Sequence, residues 1–136
     1  MPQTITRGIR AMIEEANAAI ETLSASAAMA QLREGEVVLV DLRDPRELER
    51  EGCIPGAFWC PRGMLEFWID PQSPYAKPVF QQDRKFIFFC AGGLRSALAA
   101  KTAQDMGLKP VAHIQGGFAA WRDAGGAVEA WTGKKG

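Results

Sequence analysis

Apolar positions along this chain change period as it proceeds. From Arg7 to Leu23 they recur at helical spacing, at Ile9, Met12, Ile13, Ala16, Ile20 and Leu23, while Glu14, Glu15 and Glu21 fall elsewhere. One amphipathic helix is predicted there. Its stripe is expected to pack on its own domain, the usual fate of such a face; a surface for a second copy is the alternative. A second helix is predicted over Ala27 to Arg33, with Ser24 or Ser26 able to cap it and Gly35 to end it.

The pattern then becomes continuous. Val37-Val38-Leu39-Val40 and Lys85 to Phe89 are apolar runs rich in β-branched and aromatic residues, as in strands covered on both faces. Phe58-Trp59-Cys60 and Val111-Ala112-His113-Ile114 read as shorter strands. Between them lie helical stretches. Asp44-Pro45-Arg46-Glu47 has the cap, the proline and the glutamate of a capping box, and Gly52 stops that helix. Ser96 to Met106 is predicted as a helix that Ser96 can cap, and Gly116-Gly117 turns into a short helix carrying Phe118 and Trp121. Met64, Leu65, Phe67 and Trp68 can form one helical turn, which packs in the core or walls a site. Strands alternating with helices imply an α/β fold: a mostly parallel central sheet with helices on both faces and an extra N-terminal helix.

Composition narrows the function. Acidic and basic side chains balance at 16 each, which removes the argument for a nucleic-acid partner. Met1 to Arg10 holds no apolar signal core, and no run approaches the length that spans a bilayer. A soluble, cytoplasmic protein without a membrane partner is the expectation. The three cysteines, Cys53, Cys60 and Cys90, form no CxxC pair, and the one histidine, His113, leaves no metal-site spacing. Cys53 and Cys60 read as small buried groups rather than as a disulfide. His113, inside a strand, reads as a satisfied or half-exposed imidazole rather than a catalytic base.

Cys90 is different. It ends the longest apolar strand and begins the loop Cys90-Ala91-Gly92-Gly93-Leu94-Arg95, which leads into a helix at Ser96. The two glycines let successive N–H groups of Ala91, Gly92, Gly93, Leu94 and Ser96 face one concavity, an anion nest. A thiol there meets these amides, a helix N-terminus and the Arg95 guanidinium, each of which favours the anion. Two chemistries use such a cradle: phosphoryl transfer and sulfur transfer. A cysteine phosphatase places five residues between cysteine and arginine; here four intervene, and the smaller nest suits one additional sulfur.

The chain resembles a single-domain rhodanese, the sulfurtransferase family. The resemblance rests on Val37 to Arg43 with Glu47, on Gly52-Cys53-Ile54-Pro55-Gly56-Ala57, on the loop Cys90 to Ser96, and on Gly116-Gly117-Phe118-Ala119-Ala120-Trp121 with Gly125-Gly126. It divides the chain into an N-terminal helical extension (1–31), the domain (32–130) and a tail (131–136). It implies that Cys90 is the catalytic nucleophile and carries a persulfide. The amides of Ala91 to Ser96 and Arg95 would hold the donor or the transferred sulfur. The partners are a small anionic donor such as thiosulfate and a thiol or cyanide acceptor, with no cofactor beyond the persulfide. Asp41, Arg43 and Cys53 are candidates for supporting positions around the loop. Arg43 is expected to form a structural ion pair with Asp41, Asp44 or Glu47. Cys53 stands where the family usually has histidine; it is expected to pack, with attack on the persulfide or a disulfide with Cys90 as the alternatives. The rival functions are a non-catalytic rhodanese-like binding or redox-sensing module and a cysteine-loop phosphatase or arsenate reductase. A homodimer through the N-terminal helix is a further expectation.

Overall fold

The computed structural model describes residues 2–133, so Met1 and positions 134–136 of the expected tail lie outside the described residues. The elements follow in the order α1 (Ile9–Ala19), β1 (Glu21–Leu23), α2 (Ala25–Glu34), β2 (Val37–Asp41), α3 (Pro45–Glu51), β3 (Phe58–Trp59), α4 (Leu65–Ile69), β4 (Lys85–Phe89), α5 (Leu94–Met106), β5 (Val111–Ile114) and α6 (Gly117–Asp123). Short 3-10 turns at Arg62–Met64 and Pro78–Gln81 flank α4. The five strands form one sheet in the order β1-β5-β4-β2-β3, and every pairing is parallel. Among the described residues no helix is long and apolar enough to cross a membrane.

Burial explains the unbroken apolar runs. Val38, Val40, Phe86 and Phe88 face one layer, with Ala99, Ala100 and Ala103 of α5 and Leu65 and Ile69 of α4. Val37, Leu39, Ile87 and Phe89 face the other, with Ala25 and Ala28 of α2 and Phe118 and Trp121 of α6. Alternation along the strand carries Cys90 to the α5 side, in the same layer as Phe86 and Phe88.

The first helix is shorter than its apolar spacing suggests. It ends at Ala19 because Ile20 turns extended, and Glu21–Leu23 pairs with Ala112–Ile114 of β5. Ile20 and Leu23 stand three apart, a spacing that suits a helix as well as a bend into a strand. The helix packs on α5, burying Ala16, and Gln104 Nε2 donates to the Ala19 carbonyl at 3.0 Å. The expected capping box is present: Asp44 accepts from the N–H of Arg46 and Glu47, and Glu47 accepts from the N–H of Asp44. In the α4 region Leu65 and Ile69 are buried, Trp68 is half-buried, and Phe67 is exposed against Tyr75.

Arg43 is almost wholly buried beyond the end of β2. Its Nε and Nη2 donate to the two Asp41 carboxylate oxygens at 3.0 and 2.8 Å, and Nη2 also reaches the Gly52 carbonyl at 3.0 Å. Its guanidinium lies 4.1 Å from the Phe118 ring centroid. The structural ion pair expected for Arg43 is thus made with Asp41. Removing one member of such a pair leaves the other charge uncompensated. Arg43→Met is therefore expected to cost about 3–5 kcal/mol in urea unfolding, whereas replacing Asp41 and Arg43 together with apolar residues should recover much of that loss.

Candidate active site

The loop after β4 wraps its own cysteine. The backbone N–H groups of Gly93 and Ser96 donate to Cys90 Sγ at 3.2 and 3.3 Å. Cys90 as a residue is 1% exposed. α5 begins two residues earlier than its sequence suggests, at Leu94, with Gly93 as its N-cap and no side-chain cap. Ser96 is therefore not the cap. It is the third helical residue, and the sulfur takes the first-turn N–H that a capping oxygen would otherwise accept. Of the loop residues expected to line the cradle, Gly93 and Ser96 aim amides at sulfur. Ala91, Gly92 and Leu94 form the exposed crest.

A second helix start holds the same residue from behind. The N–H of Phe118 donates to the Cys90 carbonyl at 2.7 Å, and that of Ala119 to the Ala91 carbonyl at 3.2 Å. This contact explains the glycine at 117: its φ is +60°, and a Cβ there would lie 2.3 Å from the Cys90 carbonyl oxygen. A Cβ on Gly93, at φ +103°, would meet the Gly116 nitrogen at 3.1 Å.

Arg95 closes the loop against α3. Its Nη1 and Nη2 donate to Glu47 Oε1 and Oε2 at 2.9 and 2.8 Å, a bidentate pair. Glu47 Oε1 also accepts from the N–H of Asp44. The Arg95 hydrogen bond holds the Glu47 carboxyl below the usual carboxylate range, and the same bond raises Arg95. The Arg95 side chain keeps 42% exposure, so its outer edge still meets solvent.

The other candidates have partners of their own. Asp41 and Arg43 neutralise each other under the sheet end. Cys53 forms a one-residue antiparallel bridge with Glu129 and lines a cavity of about 530 Å³ with Trp59, Trp68, Lys77 and Trp131, a cavity that Cys90 does not line. Burial and the Glu129 and Asp41 carboxylates push the Cys53 thiol up. Burial pushes Cys60 up to about 12. All three cysteines are free. Of the two readings for His113, the satisfied one holds, and the ring is buried rather than half-exposed: Nδ1 lies 2.9 Å from Ser96 Oγ and Nε2 lies 2.8 Å from Asn17 Oδ1. Neither partner was readable from sequence, because one is 17 residues away and the other 96.

The family model for the rhodanese-like domain matches residues 24–124. The structure of a protein of unknown function from Rhodopseudomonas palustris CGA009, a possible tyrosine phosphatase, is 73% identical and superposes with a TM-score of 0.91, covering 95% of this chain and 99% of that one. The 30 kDa polysulfide-sulfur transferase homodimer of Wolinella succinogenes is 27% identical with a TM-score of 0.70, covering 93% of this chain and 90% of that one. Thiosulfate sulfurtransferase/rhodanese-like domain-containing protein 3 of Mus musculus is 26% identical over 95 residues, which span 66% of this chain and 60% of that protein.

The depressed Glu47 pKa gives the loop an acid limit. A carboxyl lowered on folding stabilises above its unfolded value, near 4.3, and the benefit disappears as pH falls through the lower folded value. Glu47→Gln should cost about 1 kcal/mol at pH 7, a modest figure because the Arg95 head is partly solvated. In urea titrations at successive pH values, its gap from the native protein should close in acid below that range.

Proposed function

The chain belongs to the rhodanese-like domain family, and on that footing we propose that it is a sulfurtransferase that carries sulfane sulfur as a persulfide on Cys90. The observation that carries this reading is the pair of inward amides on Cys90 Sγ, inside a loop with only four residues between Cys90 and Arg95. Amides that converge on one sulfur at 3.2 and 3.3 Å can follow negative charge outward onto a second sulfur without enclosing three phosphoryl oxygens.

The steps are these. The Cys90 thiolate attacks the outer sulfur of a donor such as thiosulfate. The donor's S–S bond breaks, sulfite leaves with the bonding pair, and Cys90 holds the sulfur as a persulfide. A thiolate or cyanide acceptor then attacks that terminal sulfur, and the Cys90 thiolate returns. The scheme is covalent and ping-pong, and it calls on no cofactor. Gly93 and Ser96 supply the amides, and the solvated edge of Arg95 draws in the anionic donor while its inner edge stays on Glu47. The scheme runs through Cys90 alone; Cys53 lines a cavity that Cys90 does not. Assembly as a homodimer through α1, where Ile9 is exposed, belongs to the same proposal.

A phosphatase is the second reading, because the 73% identical neighbour is a possible tyrosine phosphatase. The two readings separate in one experiment. After thiosulfate treatment, mass spectrometry should find one added sulfur atom on the Cys90 peptide, and Cys90→Ser should show neither that adduct nor thiosulfate:cyanide activity. Release of phosphate from an aryl phosphate ester, without the sulfur adduct, would give the site to phosphoryl transfer. Arg95→Ala should slow sulfur loading from thiosulfate about tenfold, as expected for one charge-assisted contact. An unchanged loading rate would remove Arg95 from donor binding.

A further inference from the structure

Ser96 holds Cys90 with its backbone and is itself held by its side chain. Its N–H points to Cys90 Sγ, while its buried hydroxyl lies 2.9 Å from His113 Nδ1. His113 projects from β5, 3% exposed, and its other nitrogen meets the carboxamide oxygen of Asn17 on α1 at 2.8 Å. A carbonyl oxygen only accepts. With the carboxamide so oriented, Nε2 carries the imidazole proton, Nδ1 is bare, and the Ser96 hydroxyl must donate to it. Burial lowers the His113 pKa and so keeps the ring neutral, as this arrangement needs.

The bonds therefore run in one direction, from β5 to α1 and from α5 to β5. We infer that Asn17 and His113 are positioning residues for Cys90. They lock the Ser96 side chain and so aim the Ser96 N–H at the sulfur through the first turn of α5. Asn17 belongs to a helix that precedes the segment matched by the family model, residues 24–124. The cysteine cradle is thus set in part by a residue that lies before the matched segment. The inference rests on the reading of Cys90 as the reactive thiol, and adds to it a control point in α1.

The volume of His113 and its hydrogen-bond acceptor can be separated. His113→Phe keeps an aromatic in the strand and loses the acceptor. His113→Asn loses ring volume but sets a carbonyl oxygen near the Nδ1 position. A packing role favours phenylalanine; a positioning role favours asparagine. The readout is alkylation of Cys90 by iodoacetamide at neutral pH, followed on the Cys90 peptide alone. The expected result is a slowing of about tenfold in His113→Phe and about two- to threefold in His113→Asn, the scale of one lost hydrogen bond.

Asn17→Ala covers the case in which His113→Phe does not fold. Asn17 is an exposed helix position where alanine is a better helix former. That variant should still fold and yet alkylate about threefold more slowly. In the native protein, nitrogen-15 shifts of the imidazole, assigned at once because His113 is the one histidine, should show Nε2 protonated and Nδ1 bare. Alkylation of Asn17→Ala at the native rate, His113→Phe outperforming His113→Asn, or a proton on Nδ1 would each overturn the inference. Alkylation does not require sulfur transfer. The expected order in a protein that loads no sulfur would retain the positioning chain and remove the transferase, and normal loading with unaltered alkylation would do the reverse.

Discussion

Cys90 is suspended between two helix starts. The first turn of α5 supplies N–H groups to its sulfur, and the first turn of α6 supplies them to its own and the next carbonyl. A short loop could hold a sulfur in many orientations. Two sets of amides arriving from different directions leave few. The glycine at 117 is the steric condition for this, since any side chain there would strike the Cys90 carbonyl.

Charge reinforces the same junction from the other half of the sheet. Arg95 ties the loop to the capped start of α3 through Glu47, whose carboxylate also completes the capping box. Arg43 spends its charge on Asp41 and its flat face on Phe118, the residue whose N–H grips the Cys90 carbonyl. The two arginines therefore have different duties. Arg43 is a buried strut, and Arg95 is a clasp with one side left wet.

Much of this could be read before any coordinates. The runs at 37–40, 85–89 and 111–114 announce strands because both of their faces are buried, and the box at Asp44 announces α3 because capping is local chemistry. Cys90 and its loop stand out for the same reason: glycines and arginine lie within a few residues of that cysteine. What was not legible depends on distant partners. β1 is three residues long and exists because β5 offers it a ladder. Ser96 looks like a cap, but a sulfur already fills that role, which frees its hydroxyl for an imidazole. Cys53 finds its setting only when the chain returns at Glu129.

The short strand β1 has a consequence of its own. It occupies the outer side of β5, from Ala112 to Ile114, where main-chain donors and acceptors would otherwise lie bare. A version of this protein trimmed to residues 24–124 would lose that cover and the helix above it together. Uncovered, β5 would present an open sheet margin to neighbouring molecules, a template for sticking strand to strand. The piece that sets the cradle is also the piece that gives the sheet a margin only three residues long.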